Sequence, residues 1–284
     1  MILVTGASGA LGRLVTEHLA ALPGVTVTAG TRDPGAWNGP DIPVRRVDFD
    51  DPATLAPAFD GVDTLVFISA GFAEDDVVHA RHRAVVDAAA TAGVRHVVYT
   101  SLTGTADRLS IALAHRYTER VLAEAPFAVT VLRNALYAEL AAFMLAAPAL
   151  ITGALPGPVR DGRVPVAARH DLAEVAARVA AEPTDVHHGR TYELDGVEDL
   201  GLADLRELLA DAGRPDVADG GSLAALREAA GDAPAFQTAH TVSIFATVSA
   251  GLIDRGDSDL PRLLGRAPTP AREVVAKVLA SLAG

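Results

Sequence analysis

The first twelve residues limit the fold of this chain more than any other stretch. Ile2, Leu3 and Val4 are typical of a short buried strand, and glycines follow at positions 6, 9 and 12, where an amphipathic helix begins. With 25 glycines in the chain the spacing alone carries little weight, but its place between a strand and a helix predicts a dinucleotide-binding turn. Free N–H groups at the helix start would hold the phosphates. The predicted contacts are Gly6, Ala7, Ser8, Gly9, Ala10, Leu11 and Gly12.

The segments after this helix alternate between strand and helix patterns. Helices are predicted at residues 77–92 and 171–182, the second capped by Asp171, and strands at residues 25–29, 44–49, 63–69, 94–101, 129–133 and 191–194. Strands that alternate with helices in this way imply right-handed crossovers. The sequence therefore predicts an α/β fold with a doubly wound parallel sheet.

Composition excludes several kinds of partner and site. The 284 residues carry a net charge of −12, which disfavours nucleic acid and anionic lipid, and the chain has no cysteine to form a disulfide or ligate a metal. The adjacent His187 and His188 are more typical of a surface turn than of a metal site.

Two uncharged runs, at 140–159 and 233–253, are broken by proline, glycine or polar residues and favour buried helices or pocket walls over membrane spans. Because the chain begins with a core strand, a cytoplasmic location is expected.

The end of the second predicted strand indicates which dinucleotide the turn would take. An acidic residue about 20 positions after the glycines binds the ribose 2′-hydroxyl of NAD, whereas an arginine there accommodates the 2′-phosphate of NADP. Arg32 lies 20 residues after Gly12 and predicts NADPH, although the neighbouring Asp33 could weaken the preference and Arg32 could be a solvated loop charge. Further cofactor contacts are expected where other strands end: Asp48, Phe49, Ser69, Ala70 and Thr100. Asp48 is equally well explained as a helix cap.

Six segments carry a family resemblance: Gly6-Ala-Ser-Gly-Ala-Leu-Gly12, Thr31-Arg32, Asp48-Phe49, Tyr99-Thr-Ser-Leu102, the stretch from His115 to Glu119, and Leu132-Arg-Asn-Ala-Leu-Tyr-Ala-Glu139. Together they resemble the NmrA-like atypical short-chain dehydrogenases, and within them the bacterial NADPH:quinone oxidoreductases. The resemblance implies a Rossmann core over residues 1–135, completed by 164–196, and a small, mostly helical substrate lobe made of 136–163 and 197–284. It also implies NADPH as the cofactor and either quinone reduction or redox sensing.

The chain lacks the catalytic pair of ordinary short-chain dehydrogenases, a tyrosine followed four residues later by a lysine that lowers the pKa of the phenol. Its one lysine is Lys277, and none of its four tyrosines is followed by lysine at that spacing. Interconversion of alcohols and ketones by that mechanism is therefore not expected. Reduction of a quinone remains feasible, because the aromatic hydroquinone anion can take its proton from water while the protein positions the reactants.

The candidate catalytic residues are Asn134, Tyr137 and His115. By resemblance, Asn134 and Tyr137 contact both cofactor and substrate: the amide would bond the carboxamide or a quinone oxygen, and the phenol ring would stack on the substrate. A helix cap and a core tyrosine are the alternative interpretations, and His115 is either a proton donor or a solvated helix residue. We expect a small planar apolar substrate and a homodimer. A non-catalytic NADP-dependent redox sensor and a reductase of large aromatic ketones are the competing functions.

Overall fold

The computed structural model describes residues 1–69 and 73–283, so the predicted cofactor residue Ala70 lies outside the described residues. In chain order the strands are β1 Ile2–Val4, β2 Val27–Thr31, β3 Val44–Arg46, β4 Thr64–Ile68, β5 His96–Leu102, β6 Ala128–Asn134, β7 Leu136–Tyr137, β8 Arg163–Ala167, β9 Thr191–Leu194 and β10 Glu198–Gly201. The helices are α1 Ala10–Ala21, α2 Leu55–Phe59, α3 Asp75–Thr91, α4 Ala112–Ala123, α5 Ala138–Ala141, α6 Ala147–Thr152, α7 Arg169–Ala181, α8 Thr184–His187, α9 Leu202–Asp211, α10 Leu223–Ala229, α11 Ala235–Ser249, α12 Leu260–Leu264 and α13 Ala271–Ala283.

Seven of these strands form one sheet in the order β3-β2-β1-β4-β5-β6-β9. The pairs β1–β2, β1–β4, β2–β3 and β4–β5 are parallel, with Leu3 opposite Thr28 on one side and Leu65 on the other. The strand order reverses between β1 and β4, and open α/β sheets bind their ligands at the carboxyl ends of the strands beside such a point. The glycine turn, residues 6–12, follows β1 directly and therefore lies at this point of reversal. The sheet order confirms the predicted Rossmann-type fold class.

Two compact units divide the chain. The first contains residues 1–101, 113–133 and 172–192, and its core is a continuous cluster of buried side chains that includes Leu3, Phe59, Phe67 and Tyr99. On α1, Leu11, Val15 and Leu19 form the buried face, as the helical spacing predicts. The predicted domain boundaries differ in detail from these units and stay a prediction.

The second unit contains residues 102–112, 134–171 and 193–284. It holds a small three-stranded sheet, β10-β8-β7, in which β8 pairs antiparallel with β10 and parallel with β7. Between α5 and α6 the helix widens into a π-helical segment at Ala142–Ala146, a distortion that is often associated with functional sites. The apolar cluster of this unit gathers side chains from α5, α9, α11 and α13, such as Leu205, Phe245 and Leu279.

Several local expectations differ from the structure. Asp171 does not cap a helix: it lies within the first turn of α7, fully buried, and its carboxylate accepts hydrogen bonds from Arg266 and Thr269. His187 is not on a surface turn but is 2% exposed, with Nδ1 3.0 Å from the Tyr192 hydroxyl and Nε2 2.9 Å from Glu182. Within residues 1–69 and 73–283, no helix combines the length and apolar character needed to cross a membrane.

Candidate active site

The backbone of the glycine turn explains why it requires its first and third glycines. Gly6 has a φ of +60°, in the left-handed region that side chains disfavour, and this conformation turns the chain away from β1. A Cβ atom on Gly12 would lie 2.2 Å from the Gly6 carbonyl oxygen, so the helix can pass this close to the turn only without a side chain there. Both observations agree with the roles expected for these glycines in a dinucleotide-binding turn.

The start of α1 has the features of a phosphate-binding helix end. Its N-cap is Gly9, no side chain caps it, and no acidic residue stands in the first turn. Ser8, Gly9 and Ala10 are exposed, whereas Ala7 and Leu11 are buried and can offer only backbone groups. The Ala7 amide is already used, since it donates to the Gly30 carbonyl at 3.0 Å. An open, uncapped helix end of this kind fits the diphosphate of a dinucleotide.

The end of β2 brings the predicted selector residue beside this turn. The Thr31 hydroxyl donates to the Ser8 hydroxyl at 3.1 Å, which ties the strand end to the glycine turn. Arg32 is exposed and makes no hydrogen bond to any described residue. The Asp33 carboxylate accepts a hydrogen bond from the Gly35 amide at 3.0 Å, capping a short turn at Pro34–Ala36. Asp33 is thus occupied by its own loop, while the Arg32 guanidinium remains available for an anion.

The loop after Arg32 is held by specific contacts. Arg13, on α1, donates to the Asn38 side-chain oxygen at 3.1 Å and to its carbonyl at 3.3 Å. The indole N–H of Trp37 donates to the Pro40 carbonyl at 3.0 Å, and the indole ring lies so close to Gly39 that a Cβ there would be 2.3 Å from a ring carbon. The loop is therefore fixed to the same helix whose start is the predicted phosphate site.

The other predicted cofactor residues lie at strand ends of the first unit. The Asp48 carboxylate accepts from the Asp50 amide at 3.1 Å, and Phe49 meets Phe67 edge to face at 5.9 Å. The Ser69 amide donates to the Thr100 hydroxyl at 3.4 Å. Contact of these residues with the cofactor stays a prediction.

His115 is half-buried and belongs to a polar network around the buried Tyr99. Its Nδ1 lies 3.0 Å from the hydroxyl of Tyr99, which is completely buried. Burial, and then the neighbouring Arg116, lower the pKa of His115 to about 4, while burial raises the pKa of Tyr99. At neutral pH the imidazole is therefore uncharged, and it could donate a proton only as neutral imidazole, which is a much weaker acid than imidazolium. Its catalytic role stays a prediction.

One further member of this network, His82, did not emerge from the sequence. His82 is 1% exposed, with Nδ1 2.7 Å from the Thr118 hydroxyl and Nε2 3.5 Å from the Ser69 hydroxyl. Tyr99 also hydrogen-bonds to Ser69 and Thr118, so the network reaches from β4 through β5 to α3 and α4. The sequence did contain a signal: the pairs His79/His82 and His115/Thr118 are each three residues apart, which places each pair on one helix face.

In the second unit the structure brings together Asn134, Tyr137 and Arg169. Asn134 is 3% exposed, and its side chain hydrogen-bonds to the Tyr137 hydroxyl. Its carbonyl oxygen, Oδ1, is buried and has no hydrogen-bond partner among the described residues. The Arg169 guanidinium covers one face of Tyr137, 4.9 Å from the ring centre, while the Arg169 amide donates to Glu139. Tyr137 therefore has only one face left for stacking, and Asn134 offers a free acceptor.

Comparison with known proteins identifies the family to which the chain belongs. Residues 6–183 match the model of the NAD(P)H-binding family. Quinone oxidoreductase 2 of Escherichia coli is 38% identical over 75% of each chain, and an NmrA-like family domain-containing oxidoreductase of Aspergillus flavus is 30% identical over 98% of this chain and 94% of its own. An E. coli NADPH-dependent quinone oxidoreductase solved with NADPH superposes with a TM-score of 0.84 at 33% identity, covering 98% of this chain and 99% of the other.

The glycine turn, the uncapped helix start and these relatives agree, so the NAD(P)H cofactor predicted from the sequence is confirmed, as is the prediction of an enzyme. The chain is an NAD(P)H-dependent oxidoreductase that belongs to the NAD(P)H-binding family and has an NmrA-like oxidoreductase among its relatives.

Proposed function

We propose that this enzyme uses NADPH to reduce a quinone, or a similarly electrophilic carbonyl, by direct hydride transfer without a tyrosine–lysine pair. The proposal rests on the side chains that hydrogen-bond to the hydroxyls of Tyr99 and Tyr137. Tyr99 is bonded by neutral or hydroxyl side chains, and Tyr137 by an amide. Burial raises the pKa of both phenols, whereas a tyrosine that serves as an acid–base catalyst needs a lowered one.

A quinone suits such a site because its reduction needs no strong acid. NADPH, when bound, supplies a hydride, that is, two electrons and one proton. The acceptor becomes a hydroquinone anion, stabilised by aromaticity, and takes one proton from water or from a neutral donor. The task left for the protein is to hold the reacting atoms in contact and in line. The Escherichia coli relatives are quinone oxidoreductases by name, which supports the same acceptor.

Asn134 and Tyr137 would supply the orientation. An amide oxygen accepts hydrogen bonds and cannot bond a quinone oxygen, so Oδ1 of Asn134 is suited to the carboxamide N–H of the nicotinamide or to the hydroxyl of the hydroquinone product. The uncovered face of Tyr137 would lie against the planar acceptor. Arg32 would pair with the 2′-phosphate and give NADPH its advantage over NADH. A homodimer and a cytoplasmic location stay predictions.

The test follows NADPH oxidation with a simple benzoquinone while hydroquinone is quantified. We expect saturable turnover, one hydroquinone for each NADPH, and faster reaction with NADPH than with NADH. An Asn134→Ala variant should retain NADPH binding and lose most of the rate, and a reaction without protein corrects for direct oxidation by the quinone. Tight NADPH binding without turnover of any quinone would instead establish the redox sensor.

A further inference from the structure

The second unit contains a cavity of about 620 Å³, a volume in the range of small-molecule sites. It lies between residues 155–160 and the segment 219–224 that leads into α10. Its walls are largely apolar, formed by Leu155, Val159, Leu202 and Leu223. Arg160 and two serine hydroxyls supply its polar groups besides the backbone and Asp219.

Strand β8 separates this cavity from the residues proposed to orient the acceptor. Tyr137 pairs with Ala167 at the end of β8, whereas Gly201, which precedes the cavity residue Leu202, pairs with Arg163 at its beginning. Four residues of extended strand span about 13 Å. A ligand in the cavity would therefore be distinct from one that stacks on Tyr137.

Arg160 has an unusual backbone at the cavity wall. Its φ is 48°, and within residues 1–69 and 73–283 it is the one non-glycine residue in the left-handed region. Glycine would adopt this conformation without strain, so the backbone conformation does not account for a charged side chain at this position. The guanidinium is exposed and makes no hydrogen bond or ion pair with any described residue.

The other charges around the cavity leave Arg160 uncompensated. Asp219, the acidic residue of the wall, pairs with Arg206 at 2.6 Å, and Arg206 also donates to the Val217 carbonyl. Asp161 follows Arg160 in the chain but is not among the residues that line the cavity in the described structure. Ser222 accepts from the Ala225 amide, so its hydroxyl proton is free to donate. The site thus offers an apolar wall, one cation and a hydroxyl donor.

We propose that this cavity is a second ligand site, which binds a small apolar carboxylate with about the bulk of a naphthalene ring. The carboxylate pairs with Arg160 and accepts from Ser222, and the ring system packs against Leu155, Val159 and Leu223. A guanidinium with free donors at the edge of an apolar cavity selects an anion over a neutral molecule of the same shape.

The experiment is a fluorescence titration with anilinonaphthalene sulfonate in excess NADP⁺, which fills the cofactor site without emitting. Naphthoate and the neutral naphthamide serve as competitors. The variants are Arg160→Gly, Arg160→Lys and, as a matched control that removes one exposed loop arginine elsewhere in the unit, Arg214→Gly.

We expect Arg160→Gly to raise the dissociation constant of the probe about tenfold or more, Arg160→Lys to change it by less than about threefold, and Arg214→Gly to leave it unaltered. Naphthoate should displace the probe and naphthamide should not. The unfolding midpoint of Arg160→Gly should equal or exceed that of the wild type, because glycine accepts the backbone conformation, which excludes misfolding as the cause. Unchanged binding by Arg160→Gly, equal competition by naphthamide, or failure of the probe to bind in the presence of excess NADP⁺ would each overturn the proposal.

Discussion

Arg32 stands exposed at the end of β2, without a hydrogen bond to any described residue, while Asp33 is held by its own turn. We predict that Arg32→Ala weakens NADPH binding ten- to a hundredfold, the equivalent of about 1.5–3 kcal/mol for a charge-assisted contact with phosphate. Binding of NADH, which has no 2′-phosphate, should not change. Titration of both cofactors against the wild type and the exposed-arginine control Arg214→Ala measures this, and an equal loss of both affinities would contradict it.

For single residues, the sequence was informative where the backbone conformation or packing admits only one residue type. The glycines at 6 and 12 could be assigned from spacing, because a positive φ and a close helix approach exclude other residues. The role of Asp171 could not be assigned, because its partners Arg266 and Thr269 lie 95 and 98 positions away in the chain. Local patterns favour a cap for such an aspartate, and only tertiary structure shows the buried ion pair.

Among the elements of the first unit, Glu119 joins three: α4, on which it lies, the end of β5 and the end of β6. Its carboxylate accepts from Ser101 and Arg116 at 2.5 and 2.6 Å and from Arg133 at 2.6 Å, and its side chain is 14% exposed. Burial alone would raise the pKa of Glu119, but the hydrogen bonds from Arg133 and Ser101 and the charge of Arg116 outweigh it and lower the pKa. The helix is thereby fixed to the carboxyl ends of two strands.

We predict that Glu119→Gln lowers the free energy of unfolding at neutral pH by about 2–3 kcal/mol, because two partly buried arginines lose their counter-charge. A carboxylate with a lowered pKa stabilises the fold fully above its usual pKa and loses this effect as the pH falls through the lowered value. The difference between variant and wild type should therefore shrink in acid. Urea unfolding at neutral and acidic pH measures both effects, and Glu124→Gln, at an exposed position, is the control. If the free energy of unfolding of Glu119→Gln differed from that of the wild type by the same amount at both pH values, the lowered pKa of Glu119 would be contradicted.

Element boundaries were predicted least well where strand partners decide them. The second strand was expected to end at residue 29, but β2 continues to Thr31 because Gly30 and Thr31 pair with Arg45 and Arg46. The third strand was expected to reach Phe49 but ends at Arg46, since β3 lies at the sheet edge and has one neighbour. Periodicity within one segment contains no information about how far its partner extends.

Over the whole molecule, burial keeps several histidines neutral. It lowers the pKa of His82 to about 3 and those of His96 and His115 to about 4. Between these values and the ordinary histidine pKa near 6.5 the unfolded chain binds protons that the folded chain does not, so stability is lost as the pH falls. We predict a loss of about 1.4 kcal/mol per pH unit for each such histidine once the pH is below 6.5.

Urea unfolding between neutral pH and about pH 5 would show this slope before most carboxylates titrate. His82→Gln, which retains a side chain able to bond Thr118, should give a shallower slope than the wild type. The comparison variant is His188→Gln at an exposed position, which removes one of the lesser causes of the lowered pKa of His96 and should therefore change the slope less than His82→Gln does. A slope unaffected by His82→Gln would contradict the prediction.

At the scale of the whole chain the sequence predicted the fold class and the cofactor, because both depend on one turn and on a regular alternation of segments. It did not predict the sheet of the second unit. Strands β7, β8 and β10 contain two, five and four residues, too few for a period to be visible, and β7 is separated from β8 by 25 residues. Such strands are defined by their pairing rather than by their own composition.

Trp37, whose indole bonds the Pro40 carbonyl in the loop that Arg13 ties to α1, is the single tryptophan of the chain. Its emission therefore originates at one place, five residues from Arg32. Indole emission overlaps the absorption of reduced nicotinamide, so arrival of NADPH can be followed by energy transfer in the unlabelled protein. The chain thus contains its own optical probe, and the kinetics of cofactor binding can be separated from every later step of turnover.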